Sequence, residues 1–167
     1  MNQEDKQRNY ELAEKLISEQ NFAAAVIVGA VATLLAAAIY GIITSLWDFS
    51  YGFAAAGIGI AVGIPMQYLG RGIKMKFAVA ASVYTIAGCV LGNVFRVVMN
   101  LARANGISPL DVFRSNAFSV LTERAVAYVS FVDLVFWFVA VFAAVFLAMR
   151  PLSRSDRLAI GMYELKD

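Results

Sequence analysis

QNFAAAVIVGAVATLLAAAIYGIITSLW, residues 20–47, contains no charged side chain. Glu19 and Asp48 bound it. An α-helix needs about 20 apolar residues to cross roughly 30 Å of hydrocarbon, and this run is longer than that. A helix that is apolar on every face is a membrane span or the centre of a large core, and the charge-free blocks that follow point to the first. Lipid cannot satisfy an open backbone, so each such block must be helical. The fold class read from this is all-α.

Three more blocks follow. FSYGFAAAGIGIAVGIPMQYLG occupies 49–70, and FAVAASVYTIAGCVLGNVF occupies 77–95 and continues past Arg96. AVAYVSFVDLVFWFVAVFAAVFLAM occupies 125–149 and contains Asp133. The chain therefore reads as a single polytopic membrane domain, 1–167. Its four transmembrane helices are expected at about 22–46, 53–70, 77–99 and 126–149. Pro65 is expected to kink the second helix or to end its regular part.

Composition agrees. The chain is 60% hydrophobic and 16% charged, against roughly 45–50% and about 25% in soluble domains. A net charge of +2 argues for neither nucleic acid nor an acidic substrate. There is no histidine, the commonest general base and metal ligand. The single cysteine, Cys89, permits no intrachain disulfide and no cysteine-based metal site, and it reads as a small packing residue. No catalytic residue, cofactor or metal is expected.

Lys and Arg give the orientation. Lys6, Arg8 and Lys15 precede the first span, Arg71, Lys74 and Lys76 join the second to the third, and Arg150, Arg154, Arg157 and Lys166 follow the fourth. With four spans these segments share one side, expected to be the cytoplasm of a bacterial cell, its inner membrane holding the spans. The first 20 residues are polar, and the block after them is too long for a signal-peptide core, so it is read as a retained span. Trp47 and Tyr51 would mark the outer interface.

The polar pieces are short. Residues 1–20 form an amphipathic helix, with Tyr10, Ala13, Leu16 and Ile17 on one face, expected to lie on the membrane or on a partner. Ser108, Pro109 and Asp111 start a helix over 108–124 that lies flat at the outer surface. Residues 150–167 form a cytoplasmic tail with room for another short helix.

Membrane helices pack through small residues. Steps of four run through Ala25, Gly29, Thr33, Ala37 and Gly41, through Ala55, Gly59 and Gly63, and through Gly88 and Gly92. Gly29, Gly41, Gly59, Gly63, Gly88 and Gly92 are the expected helix-packing positions. They serve packing within one chain or between copies. The aromatics of the fourth span, Phe136, Trp137, Phe138, Phe142 and Phe146, point in almost every direction, toward lipid or another subunit.

The same step carries Gly88 and Gly92 on to Arg96 and Asn100. A charge at the centre of a bilayer costs at least about 2.5 kcal/mol, so it needs a partner or an interface. Asp133 enters the fourth span at a matching depth. Arg96 is therefore expected to pair with Asp133, with Asn93 and Asn100 as hydrogen-bonding support. The alternative is that Arg96 reaches the outer headgroups while Asp133 starts the regular fourth helix.

The stretch GIGIAVGIPMQYLGRGIKMKFAVAASVYTIAGCVLGNV, 57–94, resembles a group of small bacterial membrane proteins. They share a Gly-rich second span, a basic GRGI turn, a lysine–phenylalanine pair and a GCxxGN in the third span. A later apolar segment opens with aspartate, like FVDLVFWF here. Gly70, Arg71, Gly72, Gly88, Cys89, Gly92, Asn93 and Asp133 match that pattern, over about a third of the chain. Some members carry an N-terminal metal ribbon, for which this chain lacks the cysteines. The resemblance implies a four-span membrane fold and no particular activity.

Two functions follow as expectations. One is a non-enzymatic scaffold or interaction subunit, partnered by the lipid bilayer and by copies of itself or other membrane subunits. The other is an oligomeric channel or small-solute transporter with a polar outer vestibule at Arg96, selective for anions. An enzyme is not expected, since no paired carboxylates, phosphate loop or metal cluster is present.

Overall fold

A computed structural model describes residues 3–46 and 52–164, and eight helices are formed among them. Trp47 and Tyr51 lie outside the described residues. Four helices make a bundle: α2 (Phe22–Leu46), α3 (Gly52–Gly70), α4 (Met75–Asn105) and α7 (Phe131–Ala148). Of these, α2, α4 and α7 are long and apolar enough to cross a membrane, while α3 is a shorter apolar helix. The remaining four are α1 (Gln3–Ser18), α5 (Pro109–Ser115), α6 (Phe118–Ala127) and α8 (Arg154–Glu164).

The chain runs up and down the bundle. The start of α2, the turn between α3 and α4, and the end of α7 meet at one pole, which also holds α1 and α8. There the Asn21 amide donates to the Gly70 carbonyl at 2.9 Å, and the Arg150 amide donates to the Gly72 carbonyl at 2.8 Å. Gln67 Nε2 donates to the Met149 carbonyl at 2.8 Å, which ties α3 to the end of α7. At the opposite pole Arg103 donates to the Ser45 carbonyl, so the last turn of α4 caps the last turn of α2.

Small residues set the spacing. On α2, Ala25, Gly29, Thr33, Ala37, Tyr40 and Gly41 are buried, while Ile27, Leu34, Leu35, Ile39 and Leu46 are exposed. Apart from Tyr40, the large side chains face out and the small ones face in, the reverse of a soluble helix and the pattern of a helix in an apolar solvent. The Thr33 hydroxyl donates back to the Gly29 carbonyl at 2.7 Å, which hides the polar group within the helix. Pro65 does not end α3, which continues to Gly70. Its end is Arg71, in the left-handed region at φ 47°, whose amide donates to the Gln67 carbonyl.

Three boundaries differ from the sequence reading, each for a local reason. The third apolar helix was expected to stop near residue 99, but α4 runs on to Asn105. No breaker intervenes before Gly106, whose φ of 65° and amide bonds to the Ala102 and Arg103 carbonyls close the helix. At 31 residues α4 is about 46 Å long and extends beyond the bundle.

The single surface helix expected over 108–124 is two. Ser115 Oγ donates to the Asp111 carbonyl and Asn116 Nδ2 to the Val112 carbonyl, and Asn116 turns extended, ending α5. Val112 of α5 with Leu121 and Ala125 of α6 then packs on Val94, Val97, Val98 and Ala102 of the α4 extension, a second small core.

The fourth apolar helix begins at Phe131, not 126. Ser130 and Asp133 form a capping box: the Ser130 hydroxyl accepts from the Asp133 amide, and the Asp133 carboxylate accepts from the Ser130 amide at 2.9 Å.

The amphipathic α1 finds its partner within the chain. Ala13 and Leu16 are buried, the Tyr10 and Tyr163 rings meet edge-on at 6.4 Å, and α1 packs against α8.

Candidate functional site

The expected packing glycines all lie where two helices touch. A methyl group on Gly59 would come 2.0 Å from the Ala140 carbonyl oxygen, and one on Gly63 would come 2.9 Å from that of Ala144. Gly41 backs onto the Cβ of Phe95, Gly92 onto the Tyr40 ring, Gly88 onto Ile58 and Thr33, and Gly29 onto Tyr84 and Met66. On α7 the matching ladder is Ala140, Ala144 and Ala148, all fully buried. Sequence reasoning passed over this ladder, although its step of four stands in the sequence, because the fourth block is dominated by aromatics.

These contacts fix relative depth. Gly88, Ile58 and Thr33 share one level, and Gly59 meets Ala140 close to it. Tyr40 on α2, Arg96 on α4 and Asp133 on α7 each lie roughly two turns, about 10–12 Å, from that level toward the pole of α5 and α6. The structure thus brings the two ionisable residues to one depth, around a tyrosine that is 5% exposed.

It does not join them. The ion pair expected between Arg96 and Asp133 is absent: Arg96 makes no salt bridge with any described residue. The Asp133 carboxylate instead accepts the Ser130 amide and hydroxyl, at 2.9 and 2.8 Å. A carboxylate at the third position of a helix already finds its donors in the orphan amides of the first turn and in the positive end of the dipole.

The two asparagines part as well. Asn93 is buried, 6% exposed, and its side chain makes no hydrogen bond with a described residue, whereas Asn100 is exposed. Beyond Gly92, α4 keeps its contact with α2 at Gly41 and Ser45 and adds a second buried face, Val94, Val97, Val98 and Ala102, against α5 and α6, and Asn100 falls on neither. What remains is a shelf of Tyr40, Asn93 and half-buried Arg96, with Asp133 at its edge.

A second polar assembly, at the pole of the chain ends, was not foreseen. The Glu19 carboxylate accepts from Arg150 Nη1 at 2.7 Å and lies 3.4 Å from Arg71 Nη1. The Arg150 hydrogen bond holds the Glu19 carboxyl below the usual glutamate range, and the charges of Arg150, Arg71 and Lys15 act in the same direction. One carboxylate thereby ties the entry of α2 to the α3–α4 turn and the end of α7. Three single charges far apart in sequence give no local pattern that would reveal it.

Among the described residues no group of three or more His, Cys, Asp or Glu stands ready to hold a metal ion. Cys89 is buried as a free thiol. The site is thus built of helix seams, a polar shelf and a charged clasp. No family model matches the chain, and neither a curated protein nor a solved structure does, so the functional reading rests on this geometry.

Proposed function

We propose that the chain is a four-span protein of the bacterial cytoplasmic membrane, with both termini in the cytoplasm. In this reading it is a non-enzymatic scaffold or interaction subunit that associates with itself or with a larger membrane complex. The observation that carries the reading is the uneven cover of α7. One face is locked to α3 through Ala140, Ala144 and Ala148, while Phe131, Leu134, Val135, Phe138, Phe142 and Phe146 are exposed. Such a continuous aromatic face suits lipid or a neighbouring helix.

Antiparallel running of α2, α3, α4 and α7 favours four crossings, with the shorter α3 packed against the other three and Ile60, Ile64, Tyr68 and Leu69 on its exposed face. The orientation follows from charge. Lys6, Arg8, Lys15, Arg71, Lys74, Lys76, Arg150, Arg154 and Arg157 collect on the segments at the pole of the chain ends, against Arg103, Arg114 and Arg124 at the other.

Native mass spectrometry of the protein, extracted gently from its membrane, tests the association. The expected mass is a multiple of the 18.1 kDa chain, or a mass that includes another polypeptide. A lone chain, together with no cross-linking of a Phe138→Cys variant in the intact membrane, would contradict the reading.

A second reading is an oligomeric channel or anion transporter, and one observation favours it. The Arg96 cation has no ion-pair partner among the described residues, beside buried Tyr40 and Asn93. Chloride flux into vesicles, abolished in an Arg96→Ala variant of unchanged melting temperature, is its expected sign. Absence of flux for any ion rejects it.

A further inference from the structure

The α7–α8 junction holds a cleft of about 620 Å³. Its lining changes character along its length. Phe142, Val145 and Phe146 of α7 form an apolar wall, and Phe142 and Phe146 are 68% and 74% exposed. At the pole of the chain ends the wall gives way to Gln67, Arg150 and Arg157. Arg150 is fixed by Glu19, and its backbone amide is taken by the Gly72 carbonyl. Arg157 is exposed and makes no salt bridge with a described residue. With Glu19 offsetting one of the two arginines, the cleft keeps an unspent positive charge at its polar end.

An apolar wall that rises from a paired-arginine mouth matches one kind of molecule in chemistry and in direction. We propose that this cleft is a binding site for an anionic phospholipid. The phosphate meets Arg157 and Arg150, and one acyl chain lies along Phe142, Val145 and Phe146. A soluble anion would leave the aromatic wall unused, and a zwitterionic lipid would offset the attraction with its own cation. A second groove, lined by Phe22, Val26, Lys76, Val79 and Val83, also has a cation at its mouth. There the Lys76 ammonium already sits over the Phe22 and Phe77 rings, at 4.8 and 5.5 Å to their centroids. Two guanidiniums, whose planar forks suit a phosphate, against a single ammonium engaged with two rings single out the α7–α8 cleft. The inference rests on the membrane-spanning reading above.

The test is native mass spectrometry of the full chain, released from detergent with phosphatidylglycerol or phosphatidylcholine added. The expected result is tighter retention of phosphatidylglycerol. Arg157→Gln should weaken it about fivefold, the effect of one surface cation. Arg154→Gln, the same charge change on an exposed arginine outside the cleft lining, should leave it nearly unchanged. Equal retention of the two lipids, or an equal loss in both variants, would overturn the site while leaving the membrane reading intact. Displacement of phosphatidylglycerol by inorganic phosphate would also overturn it, by making the mouth alone a phosphate site. Failure of the chain to retain any lipid, or to need detergent for solubility, would remove the membrane reading itself and the site with it.

Discussion

Gly57 and Gly59 stand two residues apart on α3, and an alanine at each should have opposite effects. Helix propensity favours the change equally at both, by at most about 1 kcal/mol. A Cβ at Gly57 meets nothing within 4 Å. A Cβ at Gly59 lies 2.0 Å from the Ala140 carbonyl oxygen, and ordinary contact begins at 3.4 Å. The obstruction is backbone, so no side chain can swing aside, and α3 and α7 must part by about 1.4 Å, the difference between the two distances. A gap of 0.5–1 Å already forfeits about a quarter to a half of the dispersion energy of the atoms that line it. Overpacking of this kind costs about 1–3 kcal/mol. Gly59→Ala should therefore be the less stable of the two variants by about 1–3 kcal/mol. Thermal unfolding in one detergent should place its midpoint about 3–10 °C below that of Gly57→Ala. Equal midpoints, or a reversed order, would refute the α3–α7 seam.

Other expectations concern the charged residues and the chain ends. Asp133→Ala should cost about 1 kcal/mol, as the loss of a capping box does, and Arg96→Leu should not restore it. Additivity of the two within about 0.5 kcal/mol in a double-mutant cycle checks this, and a rescue would mean that the residues do pair. Glu19 has a lowered folded-state pKa, so its clasp contributes stability above the ordinary glutamate pKa, and that stability is lost as pH falls through the folded value. Melting midpoints should drop below about pH 4.5, with a shallower drop in Glu19→Gln; identical profiles would exclude the clasp. Leu16→Asp should undock α1 from α8, seen as faster tryptic cleavage at Arg8 and Arg157 with the bundle midpoint unchanged.

Much of the bundle was legible because its determinants are local. The charge-free run from Glu19 to Asp48 delimits α2, and Ser108 with Pro109 marks the start of α5. Steps of four pick out the glycines at which backbones approach. Asp133 shows where such reading fails. Placed inside a long apolar block it looks like an intramembrane charge, but Ser130, three residues before it, makes it a helix start. The apolar block thus hid a boundary that the capping pattern carries. Length misled in the other direction on α4, expected to stop near residue 99, because only Gly106 supplies an end. The α1–α8 pair and the Glu19–Arg150 contact join residues more than a hundred positions apart, and Arg71 is also remote from both, so no window of sequence contains them.

The central claim is a bundle crossed four times, with the chain ends and the α3–α4 turn on one side and α5 and α6 on the other. Single cysteines at Lys74, Ser119 and Ser155, all exposed positions, test it in intact bacterial cells with a membrane-impermeant maleimide. Cys89, buried at 1% exposure, remains as an unreactive background. The account expects Ser119→Cys to label from outside, and Lys74→Cys and Ser155→Cys to label only after the cells are opened. Labelling of Lys74→Cys and Ser155→Cys from opposite sides, or of all three from the same side, would contradict it.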